Sequence, residues 1–342
     1  MLFMQMGKCE PPKICPIYCI CNLRNNLNHA DCSSKYLISA NTAVPYQVES
    51  LDLSYNDITV LDNASFQGYV HLKNLTLGHN AIHTIFLDTF VPLKRIRAID
   101  LSYNRLEFID PRIFESNRKI DTLNLEGNKF FSLANEPFLR SKSLQTLNLA
   151  SAQINVLLPV HYRALPQLQA IDLTRNHIIT IDKFATQAPK QLRTLNLEEN
   201  NLNWHNAIHT IFLDTFVPLK RIRAIDLSYN RLEFIDPRIF ESNRKIDTLN
   251  LEGNNFFSLA NEPFLRSKSL QTLSLASAQI NVLLPVHYRA LPRLQAIDLT
   301  RNHIITIDKF ATQTPKQLRT LNLEENNLNC DKTLRTAIDQ LK

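Results

Sequence analysis

Glycine is scarce in this chain, with five in 342 residues, so no glycine-rich loop is available to cradle a phosphate. A run of about 18 uncharged apolar residues is missing too, and nothing reads as a membrane-spanning helix. The seven residues before Lys8 are too few for a signal peptide, whose apolar core alone takes ~7–15 residues, and the chain reads as incomplete at its N-terminus. There is no histidine pair at metal spacing, no nucleophile elbow and no isolated acid–base group. His83, His161 and His177 each recur in a second copy of the same stretch, as repeat furniture would. No enzyme and no cofactor are expected. The net charge of +6 is modest for this length and falls short of a nucleic-acid signature.

What the chain does have is a phrase repeated every 24 residues: Leu51-Asp-Leu53-Ser-Tyr-Asn56, Leu75-Thr-Leu77-Gly-His-Asn80, Ile99-Asp-Leu101-Ser-Tyr-Asn104, and onward. With Ile96 as position 1, the apolar residues of that unit fall at positions 4, 6, 11, 14 and 19 (Ile99, Leu101, Leu106, Ile109, Phe114), with Asn104 at 9. Positions 4 and 6 alternate with polar neighbours, the signature of a strand with one buried face. Such a unit cannot bury its apolar side alone, so neighbours must stack into one continuous core. Twelve strands are predicted, near Leu51, Leu75, Leu101, Leu125, Leu149, Leu173, Leu197, Leu227, Leu251, Leu275, Leu299 and Leu323, in one parallel concave sheet. After position 9 no 3.6-residue stripe follows, so short extended or 3₁₀ segments are expected there. Phe90, Phe114 and Phe138 should stack beneath that side.

The asparagine at position 9 is expected to satisfy backbone groups of adjacent turns, because a buried unpaired amide or carbonyl is costly. Ala152 and Ala278 interrupt that row, and the backbone there must find another partner.

A second, longer period overlies the first. Residues 79–203 recur as 205–329 with four differences: Lys129/Asn255, Asn148/Ser274, Gln167/Arg293 and Ala188/Thr314. At the seam the step from Asn200 to Asn230 is 30 residues, which predicts a six-residue bulge around Asn201–Asn206 that holds Trp204, the single tryptophan.

Five of the six cysteines precede residue 33; Cys15, Cys19, Cys21 and Cys32 stand directly ahead of the first repeat, where a compact cover is needed over its open apolar end. Spacing alone permits a pair of disulfides or a zinc cluster. Strand steps of ~4.8 Å put the two ends roughly 50 Å apart, so Cys9 and Cys330 cannot bond within one chain.

The phrase resembles the leucine-rich repeat, and the cysteine run resembles the N-terminal cap of extracellular proteins of that family. The resemblance implies an α/β repeat solenoid: a horseshoe with a concave parallel sheet, a mostly irregular or 3₁₀ convex side and few helices. It divides the chain into a cysteine-rich cap at 9–47, about twelve repeats at 48–329 and a truncated C-terminal cap at 330–342. It also implies the pairing Cys15–Cys21 and Cys19–Cys32, and an extracellular location. The phrase around Cys330 is similar to that of insect haemolymph immune proteins of this class.

Positions 5, 7 and 8 point out of the sheet. They supply the candidate partner-binding residues: Asp52, Tyr55, Asp100, Tyr103, Glu126, Asp172, Arg175, Glu198, Asp226, Tyr229, Asp298 and Arg301. This field of carboxylates and amides with scattered tyrosines is either an ordinary solvated sheet or a docking strip for a basic or polar protein segment. Lys94, Arg95 and Arg97, their copies Lys220, Arg221 and Arg223, and Arg118, Lys119, Arg244 and Lys245 line one edge, where a sulfated glycan could bind. Asn63-Ala-Ser65 and Asn74-Leu-Thr76 are glycosylation sequons. The expected function is a secreted or cell-surface module binding a protein ligand or receptor, in innate immunity or cell adhesion. The alternatives are a matrix or glycan-binding structural scaffold, or a mis-assembled gene fragment.

Overall fold

The computed structural model describes residues 14–24, 27–130, 137–181, 189–202, 215–256, 263–307 and 315–329. It divides into two compact units, Met1–Lys129 with Leu139–Leu144, and Phe130–Phe138 with Gln145–Lys342. The first opens on an antiparallel pair, Ile20–Arg24 against Leu27–Asp31. The strands Ser50–Asp52, Asn74–Thr76, Ala98–Asp100 and Thr122–Asn124 then add in parallel. The second unit is a run of eight parallel strands from Thr146–Asn148 to Thr320–Asn322. Each three-residue strand turns its middle residue inward: Leu51, Leu75, Ile99 and Leu123 are all fully buried. No α-helix occurs among the described residues; the helical segments are the 3₁₀ turns Pro159–Tyr162 and Pro285–Tyr288.

The position-9 asparagines are the internal spine. Asn104 Nδ2 donates to Leu101 O and Ser102 O of its own turn and to Leu77 O of the turn before, at 3.0, 3.1 and 3.0 Å. Its Oδ1 accepts from Ile82 N–H at 2.9 Å. Asn80, Asn128, Asn176, Asn200, Asn230, Asn254, Asn302 and Asn326 repeat this pattern. At the two alanines the backbone makes up the loss. Phe130 N–H, which would have met an asparagine side chain, donates instead to Ala152 O at 2.9 Å, and Phe256 N–H meets Ala278 O at the same distance. Gln153 and Gln279 take left-handed backbone there, both with φ of 62°.

The seam leaves the sheet untouched. Leu195 pairs with Ile225 in register, and Leu202 N–H reaches Asn230 Oδ1 at 3.1 Å as in an ordinary turn. Asn201 and Leu202 therefore belong to the regular turn, contrary to the predicted bulge. Thr215 follows Asn200 by 15 residues, whereas its first-copy counterpart Thr89 follows Asn80 by nine. The six extra residues thus fall between Leu202 and Thr215; Trp204 lies outside the described residues. Thr215 also differs from its first-copy counterpart in its bonding. Thr89 Oγ1 donates to Leu61 O at 3.0 Å, but Thr215 Oγ1 is buried with no hydrogen-bond partner. Replacing Thr89 by valine should cost about 1 kcal/mol, whereas Thr215→Val should be neutral or stabilising, because only the first hydroxyl has a bond to lose. Chemical denaturation of the two variants checks this; equal losses would mean the seam hydroxyl is bonded after all.

Behind the sheet, Phe66, Phe90 and Phe114 stack at 5.9 and 5.2 Å, and Phe216 stacks on Phe240 at 5.3 Å. Phe138 packs edge-on to Phe130. A further buried asparagine, unforeseen in the sequence, lies beside them in each unit. Asn117 Nδ2 donates to Phe90 O and Leu93 O, and Asn243 does the same to Phe216 O and Leu219 O. Two-residue parallel bridges, Val60–Leu61 with Thr84–Ile85 and Val156–Leu157 with Thr180–Ile181, supply the short extended segments expected there.

At the head of the first unit Cys15 is bonded to Cys21 and Cys19 to Cys32, so these sulfurs are not a zinc cluster. Cys32 is fully buried, and its N–H continues the ladder to Asp52 O. Cys9 and the segment 330–342 lie outside the described residues. No helix of the described residues is long and apolar enough to cross a membrane.

Candidate functional site

The outward side of the strands is organised by two rules of local geometry. The first concerns position 5. Asp52, Asp100, Asp172, Asp226 and Asp298 each turn Oδ1 back to accept the N–H of position 7, the Ser or Thr two residues on. The Ser54, Thr174, Ser228 and Thr300 hydroxyls add a second bond. Asn124, Asn148, Asn196, Asn250 and Asn322 cap the strand in the same way. These side chains, read from the sequence as a docking field, thus also end each strand as Asx turns.

The second rule concerns position 8. In all twelve turns it has positive φ, from 50° to 68°, although only Gly127 and Gly253 are glycines there. A left-handed non-glycine residue costs roughly 1–2 kcal/mol. The cost is offset because the conformation lets the position-8 N–H reach the position-7 carbonyl of the next turn, as Tyr55 does to Gly78 O (3.0 Å) and Tyr103 to Glu126 O (2.7 Å). The side chains are thereby held in a column along one margin of the strands, one per turn.

Neighbours in that column engage each other. In the first unit the rings of Tyr55, His79 and Tyr103 stack at 4.3 and 4.5 Å, nearly parallel, and all three are exposed. Tyr103 then lies flat over Gly127, where a Cβ would stand 2.7 Å from the ring, and donates its hydroxyl to Glu126 Oε1 at 2.6 Å. In the second unit Arg175 grips Glu199 with two bonds of 2.9 and 3.1 Å, and Arg301 pairs with Glu325 at 3.0 Å. Tyr229 repeats the tyrosine-over-glycine arrangement on Gly253 and donates to Glu252 at 2.5 Å. That bond, and then burial and the Glu252 charge, push the Tyr229 hydroxyl up to about 12. Glu198 is held above the usual carboxylate range by partial burial and by the nearby Asp226 and Glu199 charges. The Arg175 bond draws Glu199 the other way.

Each candidate residue thus sits on the outward side, in its own unit: Asp52, Tyr55, Asp100, Tyr103 and Glu126 in the first, Asp172, Arg175, Glu198, Asp226, Tyr229, Asp298 and Arg301 in the second. The sequence reading missed His79, Glu199 and Glu325. All three occupy position 8, so following that column without omission would have found them. Of the sequons, Asn63 is exposed in the turn where Ser65 bonds Asp62, and Asn74 is half-buried in a strand. Along the opposite margin Lys94, Arg95, Arg118 and Lys119 are exposed, while Arg97 pairs with Asp121 and Arg223 with Asp247.

This architecture has recognisable relatives. A leucine rich repeat family model matches residues 46–106, 71–130, 118–178, 204–256 and 244–304, together more than half of the chain. Leucine-rich repeat-containing protein 3 of Danio rerio is 38% identical over 80 residues, 23% of this chain and 30% of that protein. Oligodendrocyte-myelin glycoprotein of Homo sapiens is 35% identical over 72 residues, 21% of this chain and 16% of that protein. The chain thus spans less than a third of either relative. Among solved structures, the leucine-rich repeat domain of APL1B superposes with a TM-score of 0.60 at 20% identity, over 89% of this chain and 84% of that one. A chain of the LRIM1/APL1C complex gives 0.62 at 20% identity, over 87% and 51%. At that identity the likeness is one of fold. Spine, strand spacing and matched repeats agree: the chain belongs to the leucine-rich repeat family.

Proposed function

We propose that this chain is a non-enzymatic recognition module of an extracellular or cell-surface protein, and that it binds a protein partner on the outward side of its strands. The carrying observation is the exposed ring stack Tyr55–His79–Tyr103. Rigid aromatic rings give large contact area for little loss of side-chain freedom, and such residues concentrate binding energy. Here the rings are braced from behind by left-handed backbone and from one end by Glu126. The carboxylates Asp172, Glu198 and Asp226 in the second unit favour a partner segment of positive charge. Two disulfides suit an oxidising compartment, and Asn63 is the better-placed glycan acceptor. Immune defence and cell adhesion are the settings in which we place the module.

A second reading rests on the exposed Lys94, Arg95, Arg118 and Lys119, which would hold a sulfated glycan. The two are separated by paired variants. Tyr55→Ala with Tyr103→Ala should weaken capture of a cross-linked protein partner by more than about tenfold and leave heparin retention unchanged. Neutralising the four basic residues should do the reverse. If only heparin is retained, and moderate salt releases it, the protein-recognition reading fails.

A further inference from the structure

The turn that contains Ala278 differs from its neighbours in a way that shapes the surface. Gln279, left-handed at φ of 62°, follows the alanine, in addition to Ser277, which is left-handed like every position 8. One turn earlier, Gly253 places no side chain in the position-8 column. Between these two irregularities the second unit has an open cleft of about 460 Å³, bordered by Arg231, Glu233, Gly253, Asn255, Ser277 and Gln279. That size falls within the roughly 300–1,000 Å³ of small-molecule sites. Asn230 and Asn254 also border it, but their amides are engaged in the spine.

The wall has a definite chemical character. Arg231 and Glu233 border it together, one cationic and one anionic residue, so their charges offset. The remainder is carboxamide and hydroxyl, groups that bond to hydroxyls as donors, acceptors or both. Gln279 is held in place through its contact of 3.0 Å with a ring nitrogen of His303. An apolar ligand would strand these amides without partners. An anion would meet Glu233, with Glu252 close by beside Gly253. At the Gly253 border the Tyr229 ring lies across the glycine, with a Cβ position only 2.6 Å from Cδ1, and keeps 48% of its surface exposed. The rim of a pyranose is a set of hydroxyls that donate and accept at once, and this lining of carboxamides and a hydroxyl meets it in kind.

We propose that this cleft is a binding subsite for a neutral saccharide, a hexose or N-acetylhexosamine unit. It does not rest on the protein-recognition reading or on the basic margin: Tyr229 at its border is one of the candidate partner-binding residues, but neither the first-unit ring stack nor the row of lysines and arginines takes part. The duplication supplies a built-in contrast. Asn255 is one of the four positions at which the copies differ, and its first-copy counterpart is Lys129. Lysine replaces the carboxamide with a cation that can only donate, which removes the acceptor and unbalances the charge.

The test uses the full chain with methyl glycosides of glucose, galactose, mannose and N-acetylglucosamine, followed by saturation-transfer NMR and calorimetry. At least one glycoside should bind with a dissociation constant near ~1 mM or tighter, and raising salt from about 50 to about 500 mM should leave it bound. Asn255→Lys should weaken it by about tenfold or more, equivalent to ~1.4 kcal/mol, and so should Arg231→Gln. Lys129→Asn in the first copy should leave it as it was. Because lysine already occupies the matching place in the first copy, Asn255→Lys is expected to fold, and an unchanged melting temperature checks that. The proposal is overturned if no glycoside shows transfer, if binding survives both variants, or if only sulfated sugars bind and salt removes them.

Discussion

Asn104→Ala should lower the stability of the chain by about 2–4 kcal/mol. The side chain is buried, at 5% exposure, and makes four hydrogen bonds. The two carbonyls shared with neighbouring turns each keep another donor, since Asn80 also reaches Leu77 O and Asn128 also reaches Leu101 O. The Ile82 N–H keeps nothing, and a buried orphaned donor costs roughly 1–3 kcal/mol in addition to the bonds lost. Denaturant unfolding followed by circular dichroism measures the total. Hydrogen exchange at the Ile82 amide locates it, since that proton should lose protection before those of Ala98–Asp100. A loss below about 0.5 kcal/mol would show that the asparagine row is not what holds successive turns together. The alanines at 152 and 278 do not predict a mild effect, because there the Phe130 and Phe256 amides have main-chain acceptors that Ile82 lacks.

Removal of the Cys19–Cys32 bond, as Cys19→Ser with Cys32→Ser, should cost about 3 kcal/mol, and removal of Cys15–Cys21 somewhat less. On the chain-entropy estimate the stabilisation grows with the loop closed, and the sequence separations are 13 and 6. The first pair is also the buried one, with Cys32 at 0% and Cys19 at 8% exposure, so its loss opens packing as well. The hairpin strand Ile20–Arg24 is exposed along its whole length and has no core of its own to fall back on. Reductant should therefore lower the first unit's denaturation midpoint and expose Leu27–Asp31 to exchange, with the strands of the second unit keeping their protection. Equal midpoints with and without reductant would refute this.

Much of the fold is legible in the sequence. The alternation around Leu51 or Ile99 is a local property of the chain, and it told which residues turn inward. The asparagine row was legible for a related reason: a buried amide recurring at fixed spacing must have backbone to satisfy. Other features were hidden. Asn117 and Asn243 recur only once each, so no periodicity announced them. Thr215 reads as an ordinary threonine until the missing counterpart of Leu61 O is seen. The local role of the outward residues was hidden as well, because Asp52 and its equivalents read as surface charge while one oxygen of each also ends its own strand.

The sequence by itself determined the repeat, its 24-residue step, the buried positions and the place of the seam, since all of these follow from side-chain character along neighbouring residues. Only the tertiary structure decided what position 8 does. Whether a tyrosine there stacks on a histidine, lies over a glycine or yields its place to an arginine–glutamate pair depends on a residue one full turn away. That partner comes within reach only when the parallel register aligns the turns and the left-handed backbone aims both side chains along the same column.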